Sequence, residues 1–119
     1  MALKRLQHTG FGKEIKTLLG SKKSADRELA GIVCSELDAM ARAKDGGGKH
    51  PKEEVLGGNE LTKIHYLVLY ACGYSVRAYF TVHKGVIWML ALDASKSRTK
   101  LANSMADKLK ERLRWVLSQ

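Results

Sequence analysis

The sequence predicts an α+β domain in which N-terminal helices pack on a small antiparallel β-sheet and a basic helix ends the chain. Apolar residues recur at three- and four-residue steps in the first half. They alternate with polar residues over residues 74–83 and return to four-residue steps near the C-terminus. The length of 119 residues fits one domain spanning residues 1–119.

The predicted N-terminal part consists of a short strand at residues 3–8 and two helices. The first helix ends at Gly20, and its apolar face is formed by Ile15, Leu18 and Leu19. The second helix spans residues 24–44, with Ser24 as N-cap and an apolar stripe made of Leu29, Ile32, Val33, Leu37 and Met40. The glycine-rich residues 46–59 are predicted to be a loop.

Three strands joined by short turns form the predicted antiparallel meander. They span residues 61–71, 74–83 and 86–92, and each of the two connecting turns contains a glycine. The final helix, residues 99–117, carries its apolar residues at four-residue steps and several cations on its other sides.

The charge distribution indicates a polyanionic partner. Lys and Arg number 21 against 12 acidic residues, a formal charge of +9. Residues 1–23 and residues 94–119 each carry +5, whereas residues 24–60 carry −3. The alternative interpretation is a solvated face on each helix. The N-terminal twenty residues lack the apolar, aromatic face of lipid-binding helices, and no stretch has membrane-spanning length, so we expect a cytoplasmic protein without a membrane partner.

The sequence contains no recognisable metal, nucleotide or acyl-transfer motif. The two cysteines, Cys34 and Cys72, are far apart and have no histidines at zinc-ligand spacing. Asp93 is the only acidic residue between Leu61 and Asp107, so no carboxylate cluster for magnesium is expected there. We therefore expect no cofactor, and a nuclease of this sequence would use the 2′-hydroxyl of RNA as its nucleophile.

Two segments are predicted to contact RNA. Alternation along the central strand predicts one polar face that carries Arg77, Tyr79, Thr81 and His83, although an ordinary solvent-facing side would have the same pattern. After the last strand, Lys96, Arg98 and Lys100 alternate with hydroxyl residues. We expect Lys96 and Arg98 to converge with Arg77, the alternative being solvated loop charge.

The run GYSVRAYFTVHKGVIWMLALDASKS, followed by a basic helix, resembles the RelE/HigB superfamily of bacterial toxins, including its phage-derived relatives. The resemblance implies a RelE-like fold and a ribosome-dependent endoribonuclease that cuts messenger RNA and is silenced by a cognate antitoxin. It implies that Arg77 contacts the scissile phosphate region and that Lys96 and Arg98 bind and stabilise the RNA.

The remaining candidate residues come from the strands themselves. Tyr79 and His83 are added as catalytic candidates from the polar face of the central strand. His65 is a candidate acid or base, since superfamily members often carry lysines in this strand; the alternative is a structural histidine. Candidate RNA contacts are Lys63, Lys84 and Lys100. The alternative functions are a non-catalytic RNA-binding or regulatory module and an accessory protein whose sheet binds another protein.

Overall fold

The computed structural model describes residues 4–48, 50–51, 53–56, 63–71, 74–95 and 103–119. Within these residues the chain forms three helices and five strands. In chain order they are β1 (Arg5–Gln7), α1 (Thr9–Leu19), α2 (Ser24–Asp45), β2 (Glu53–Val55), β3 (His65–Ala71), β4 (Tyr74–His83), β5 (Val86–Ser95) and α3 (Asn103–Leu117). None of these helices is long and apolar enough to cross a membrane.

The five strands form one mixed sheet in the order β1-β5-β4-β3-β2. The predicted meander is confirmed, because β3, β4 and β5 pair antiparallel in sequence. The prediction of an antiparallel sheet is wrong at one edge, where β1 pairs parallel with β5. The predicted loop at residues 46–59 also contains a strand, since β2 pairs antiparallel with β3.

The two N-terminal helices pack on one face of the sheet. Their apolar stripes meet inward-facing residues of β3, β4 and β5, and the largest side chains of this core include Phe11, Leu29, Met40, Leu67 and Phe80. The predicted stripes of both helices therefore face the sheet, except that Leu19 of α1 is 51% exposed. The helix-end predictions are partly correct: Gly20 is the C-cap of α1, but α2 begins at Ser24 itself and has Lys23 as N-cap.

The C-terminal helix packs on the opposite face. The stripe of Met105, Leu109, Leu113 and Val116 covers Tyr79 and Leu90 in a second buried cluster. The register of β5 shifts between the partners of Tyr79 and Phe80, which leaves Leu90 as the additional residue of a bulge. Both sides of the sheet are therefore covered by helices, although to different extents.

Side chains from α1 and α3 complete the hydrogen bonding of β5 at its bulge. Arg112 Nη1 donates to the Leu90 carbonyl oxygen at 2.8 Å and to Glu14 Oε1 at 2.9 Å. The same Glu14 oxygen accepts the Leu92 backbone N–H at 3.0 Å. Because β1 ends at Gln7, these side chains take over the pairing that a longer edge strand would supply.

Candidate nucleic-acid interface

The predicted polar row on β4 is interrupted by the packing of α3. Tyr79 is only 1% exposed and Thr81 only 2%, and the apolar side of α3 packs over Tyr79. The Thr81 hydroxyl satisfies its hydrogen bonding by donating to the Lys63 carbonyl oxygen at 2.8 Å. The prediction that Tyr79 lies on an exposed face is therefore wrong. Its side chain belongs to a core.

Arg77 lies on the same face as Tyr79 but beyond the part that α3 buries. It is paired with Val68 of β3 and Asp93 of β5, and its side chain is partly exposed. Around it lies a partly exposed area that we call the open face, comprising Glu54, Tyr66, Val68, Tyr70, Ser75, Arg77 and Asp93. The four adjacent strands β2, β3, β4 and β5 supply these residues.

Tyr66 connects the buried and exposed parts of this face. Its ring packs against Tyr79 with centroids 5.5 Å apart. Its hydroxyl hydrogen-bonds the carboxylate of Glu54, its register partner on β2. Burial, and then the interaction with Glu54, raises the pKa of Tyr66 to about 12, against the opposing influence of Arg77. Tyr66 therefore remains a neutral hydrogen-bond donor at physiological pH. On this face it lies between the Glu54 carboxylate and Arg77.

His65 faces the opposite side of the sheet. Its ring lies 5.6 Å from that of Phe80, on the side of the sheet that carries the α1/α2 core. Its Nδ1 lies 2.8 Å from Glu53 Oε2, and that oxygen also accepts from Lys44 Nζ at 2.6 Å. The Glu53 side chain is 2% exposed. The structure therefore does not bring His65 together with Arg77, and the partly exposed His65 instead pairs with the buried Glu53.

His83, Lys84 and Lys63 lie at the other end of the sheet. Lys84 Nζ donates to the Gln119 carbonyl oxygen at 2.7 Å, and His83 Nε2 lies 3.4 Å from the same oxygen. His83 follows Arg77 by six residues along one strand, which corresponds to about 20 Å. A single catalytic centre cannot include both residues. Lys63 is exposed near this end, where its carbonyl group meets Thr81.

The three predicted cations Lys96, Arg98 and Lys100 lie outside the described residues. The strand that precedes them ends at Ser95, which is the register partner of Ser75, two residues from Arg77. Their predicted convergence with Arg77 remains a prediction.

Sequence reasoning missed Glu54, Tyr66 and Tyr70 as members of this face. The alternation of β3 separates Tyr66 and Tyr70 from His65, but the choice of the α3 side depends on the register with β4. Glu54 belongs to a three-residue strand without a periodic signal. Among the described residues, no group of three or more His, Cys, Asp and Glu side chains is arranged to hold a metal ion.

Comparison of the chain with protein-family models and with curated proteins yields no match.

Proposed function

We propose that the chain is a metal-independent endoribonuclease toxin that cuts messenger RNA on the ribosome and is neutralised by a cognate antitoxin. The observation that carries the proposal is the open face, where Arg77 lies near Tyr66 and Tyr66 hydrogen-bonds Glu54. The net charge of +9 favours a polyanionic substrate. The element order of a strand, two helices, an antiparallel meander and a final helix agrees with the order expected for the RelE/HigB superfamily.

The spacing of the open face suits a ribose and its phosphate. Glu54 on β2 and Arg77 on β4 are separated by β3 and offset by two residues along the strands, so their backbones are roughly 12 Å apart. In the proposed arrangement the guanidinium of Arg77 binds the phosphate oxygens and stabilises their increased negative charge. The carboxylate of Glu54, held by the Tyr66 hydroxyl, faces the ribose. Asp93 and Glu54 repel a phosphate, so binding also needs cations beyond Arg77.

The proposed reaction is an internal transfer within the RNA. Glu54 takes the proton of the 2′-hydroxyl, the 2′-oxygen bonds to phosphorus, and the bond between phosphorus and the 5′-oxygen breaks. The leaving 5′-oxygen takes a proton from water, and the proton held by Glu54 neutralises the resulting hydroxide. The products are a 2′,3′-cyclic phosphate and a 5′-hydroxyl end.

The test is inducible expression in a bacterial host with mapping of messenger RNA 5′ ends. Arg77→Ala is compared with the wild type and with Arg42→Ala, which removes an exposed arginine from α2. We expect wild type and Arg42→Ala to arrest growth and cut translated messages, and Arg77→Ala to do neither while remaining folded. A folded Arg77→Ala variant that stays fully toxic would refute the site.

A second candidate function is a non-catalytic RNA-binding module. The position of His65 favours this function. Because His65 lies on the other side of the sheet, none of the described strand residues on the open face is a lysine or histidine. This function predicts RNA binding that weakens steeply with salt, without cleavage or growth arrest. The expression experiment separates the two functions, since only the first produces new 5′ ends.

A further inference from the structure

We propose that Tyr70 is a stacking site for one nucleobase of single-stranded RNA, adjacent to the phosphate position at Arg77. The inference rests on the RNA-binding part of the proposed function and does not require cleavage. It assigns a ligand class to a part of the open face that has no role in the reaction described above.

The exposure of Tyr70 is the first observation. Its side chain is 76% exposed, the largest value among the exposed large apolar residues of the described part of the chain. On the same face, its neighbours are Val68, two residues earlier on β3, and Ser75, its register partner on β4. Both are small enough to leave the ring accessible. Such a ring offers a π-face to water, where a base can replace the water by stacking.

The shared orientation of Tyr70 and Arg77 is the second observation. The ladder between β3 and β4 is regular from His65 opposite Phe80 to Ala71 opposite Tyr74. Tyr66 contacts Tyr79 on the α3 side, and side chains four residues apart on a strand lie on the same face. Tyr70 therefore shares the face of Tyr66, and Arg77 shares the face of Tyr79.

The spacing of these two residues suits one nucleotide. Val68 is directly opposite Arg77, and Tyr70 lies two residues further along β3. Tyr70 and Arg77 are therefore diagonal neighbours whose backbones are roughly 7–8 Å apart. The base of a nucleotide and its own phosphate are separated by a comparable distance. An aromatic ring for the base and a guanidinium for the phosphate are the elements by which proteins hold single strands. Stacking accepts every base, so we infer a site tolerant of sequence.

The test uses a short, fluorescently labelled, single-stranded RNA whose 2′-oxygens are methylated, so that binding is measured without cleavage. Its affinity is determined for the wild type and for Tyr70→Ala, Tyr70→Phe and Tyr70→Leu. Loss of one stacked base corresponds to a roughly 5- to 160-fold loss of affinity, so we expect Tyr70→Ala to weaken binding by at least about fivefold. Tyr70→Phe should bind within about twofold of wild type, because it retains the ring.

The leucine variant distinguishes stacking from apolar contact, since leucine keeps apolar area but has no π-face. We expect Tyr70→Leu to bind as weakly as Tyr70→Ala. The inference is overturned if Tyr70→Ala binds as tightly as wild type, if leucine restores binding, or if the wild type does not bind this RNA. A matched blunt duplex should be indifferent to all three substitutions, because its bases are already stacked.

This experiment separates the inference from the proposed function. Tyr70-dependent binding in a protein that neither arrests growth nor cuts messages supports the stacking site and refutes the endoribonuclease. Cleavage and growth arrest together with binding that ignores Tyr70 refute the stacking site and leave the endoribonuclease in place. Because Tyr70 is so exposed, we expect the unfolding midpoints of its variants to match wild type.

Discussion

The two faces of the sheet differ in how completely helices cover them. On the α1/α2 side, the buried residues of β4 extend from Val76 to Phe80. The buried carboxylate on this side, Glu53, is paired with Lys44. On the α3 side, the core ends at Tyr79, and the next residue of that face, Arg77, is partly exposed. One strand therefore contributes a complete core on one side and a core beside an open face on the other.

Helix length and polar pairing explain this difference. The helix α2 has 22 residues and α3 has 15, so α3 covers less of the sheet. Polar groups on the α2 side pair with one another, since the Glu53 carboxylate binds both Lys44 and His65. Polar groups on the open face remain near water. The candidate site therefore lies where none of the described helices covers the sheet, and His65, although nearby in sequence, lies on the opposite side.

The largest expected effects come from two adjacent core residues that test whether both faces are true cores. Phe80→Ala empties the α1/α2 side and Tyr79→Ala empties the α3 side, and both side chains are at most 1% exposed. We expect each substitution to lower the unfolding free energy by roughly 3–5 kcal/mol. Denaturant unfolding measures both values. A loss below about 1 kcal/mol for Tyr79→Ala would show that α3 adds little to stability.

A smaller effect distinguishes the buried carboxylate from its exposed neighbour. Glu53→Gln weakens the pairing with Lys44 and His65, so we expect a loss of roughly 1–3 kcal/mol. Glu54→Gln removes an exposed charge and should change stability by about 0.5 kcal/mol or less, while greatly reducing RNA cleavage. Thermal unfolding and 5′-end mapping of both variants provide the comparison. Equal stability losses would contradict the contrast between the two glutamates.

The smallest effect concerns the edge of the sheet, where His8 caps α1. The Gly10 backbone N–H donates to His8 Nδ1 at 2.9 Å, and the His8 ring packs edge-on against Trp115. Burial, and then the Arg112 guanidinium, lowers the pKa of His8 from its ordinary 6.5, with Glu111 and Glu14 opposing. The stability that neutral His8 contributes is thus complete above pH 6.5 and is lost as pH falls through the lowered value.

His8→Asn keeps a capping oxygen but removes the titration and the ring contact. At pH 8 we expect the variant to be less stable by about 0.5–1 kcal/mol, because the contact with Trp115 is lost. At pH 5 the difference should narrow, since only the wild type is penalised by protonation. The unfolding free energies at the two pH values measure this change. A difference that is constant with pH would contradict the capping role of neutral His8.

Local sequence patterns predicted the helices and the meander with small errors at their ends. The boundaries of β4 agree with its two-residue period, and those of α2 with its apolar stripe. Such patterns succeed because periodicity reflects burial on one side of an element. They failed for β2, whose three residues Glu53–Val55 have no period, and for the parallel pairing of β1, which joins residues far apart in the chain.

The candidate site depended on packing that no local pattern contains. Alternation alone places Arg77, Tyr79 and Thr81 on one face of β4, and this is correct; whether that face meets water is decided by a helix that follows later in the chain. In the same way, alternation separates His65 from Tyr66, but strand register assigns His65 to the α1/α2 side and Tyr66 to the open face. Elements follow from interactions between residues close in sequence, whereas exposure and proximity follow from the burial of apolar surface between elements distant in sequence.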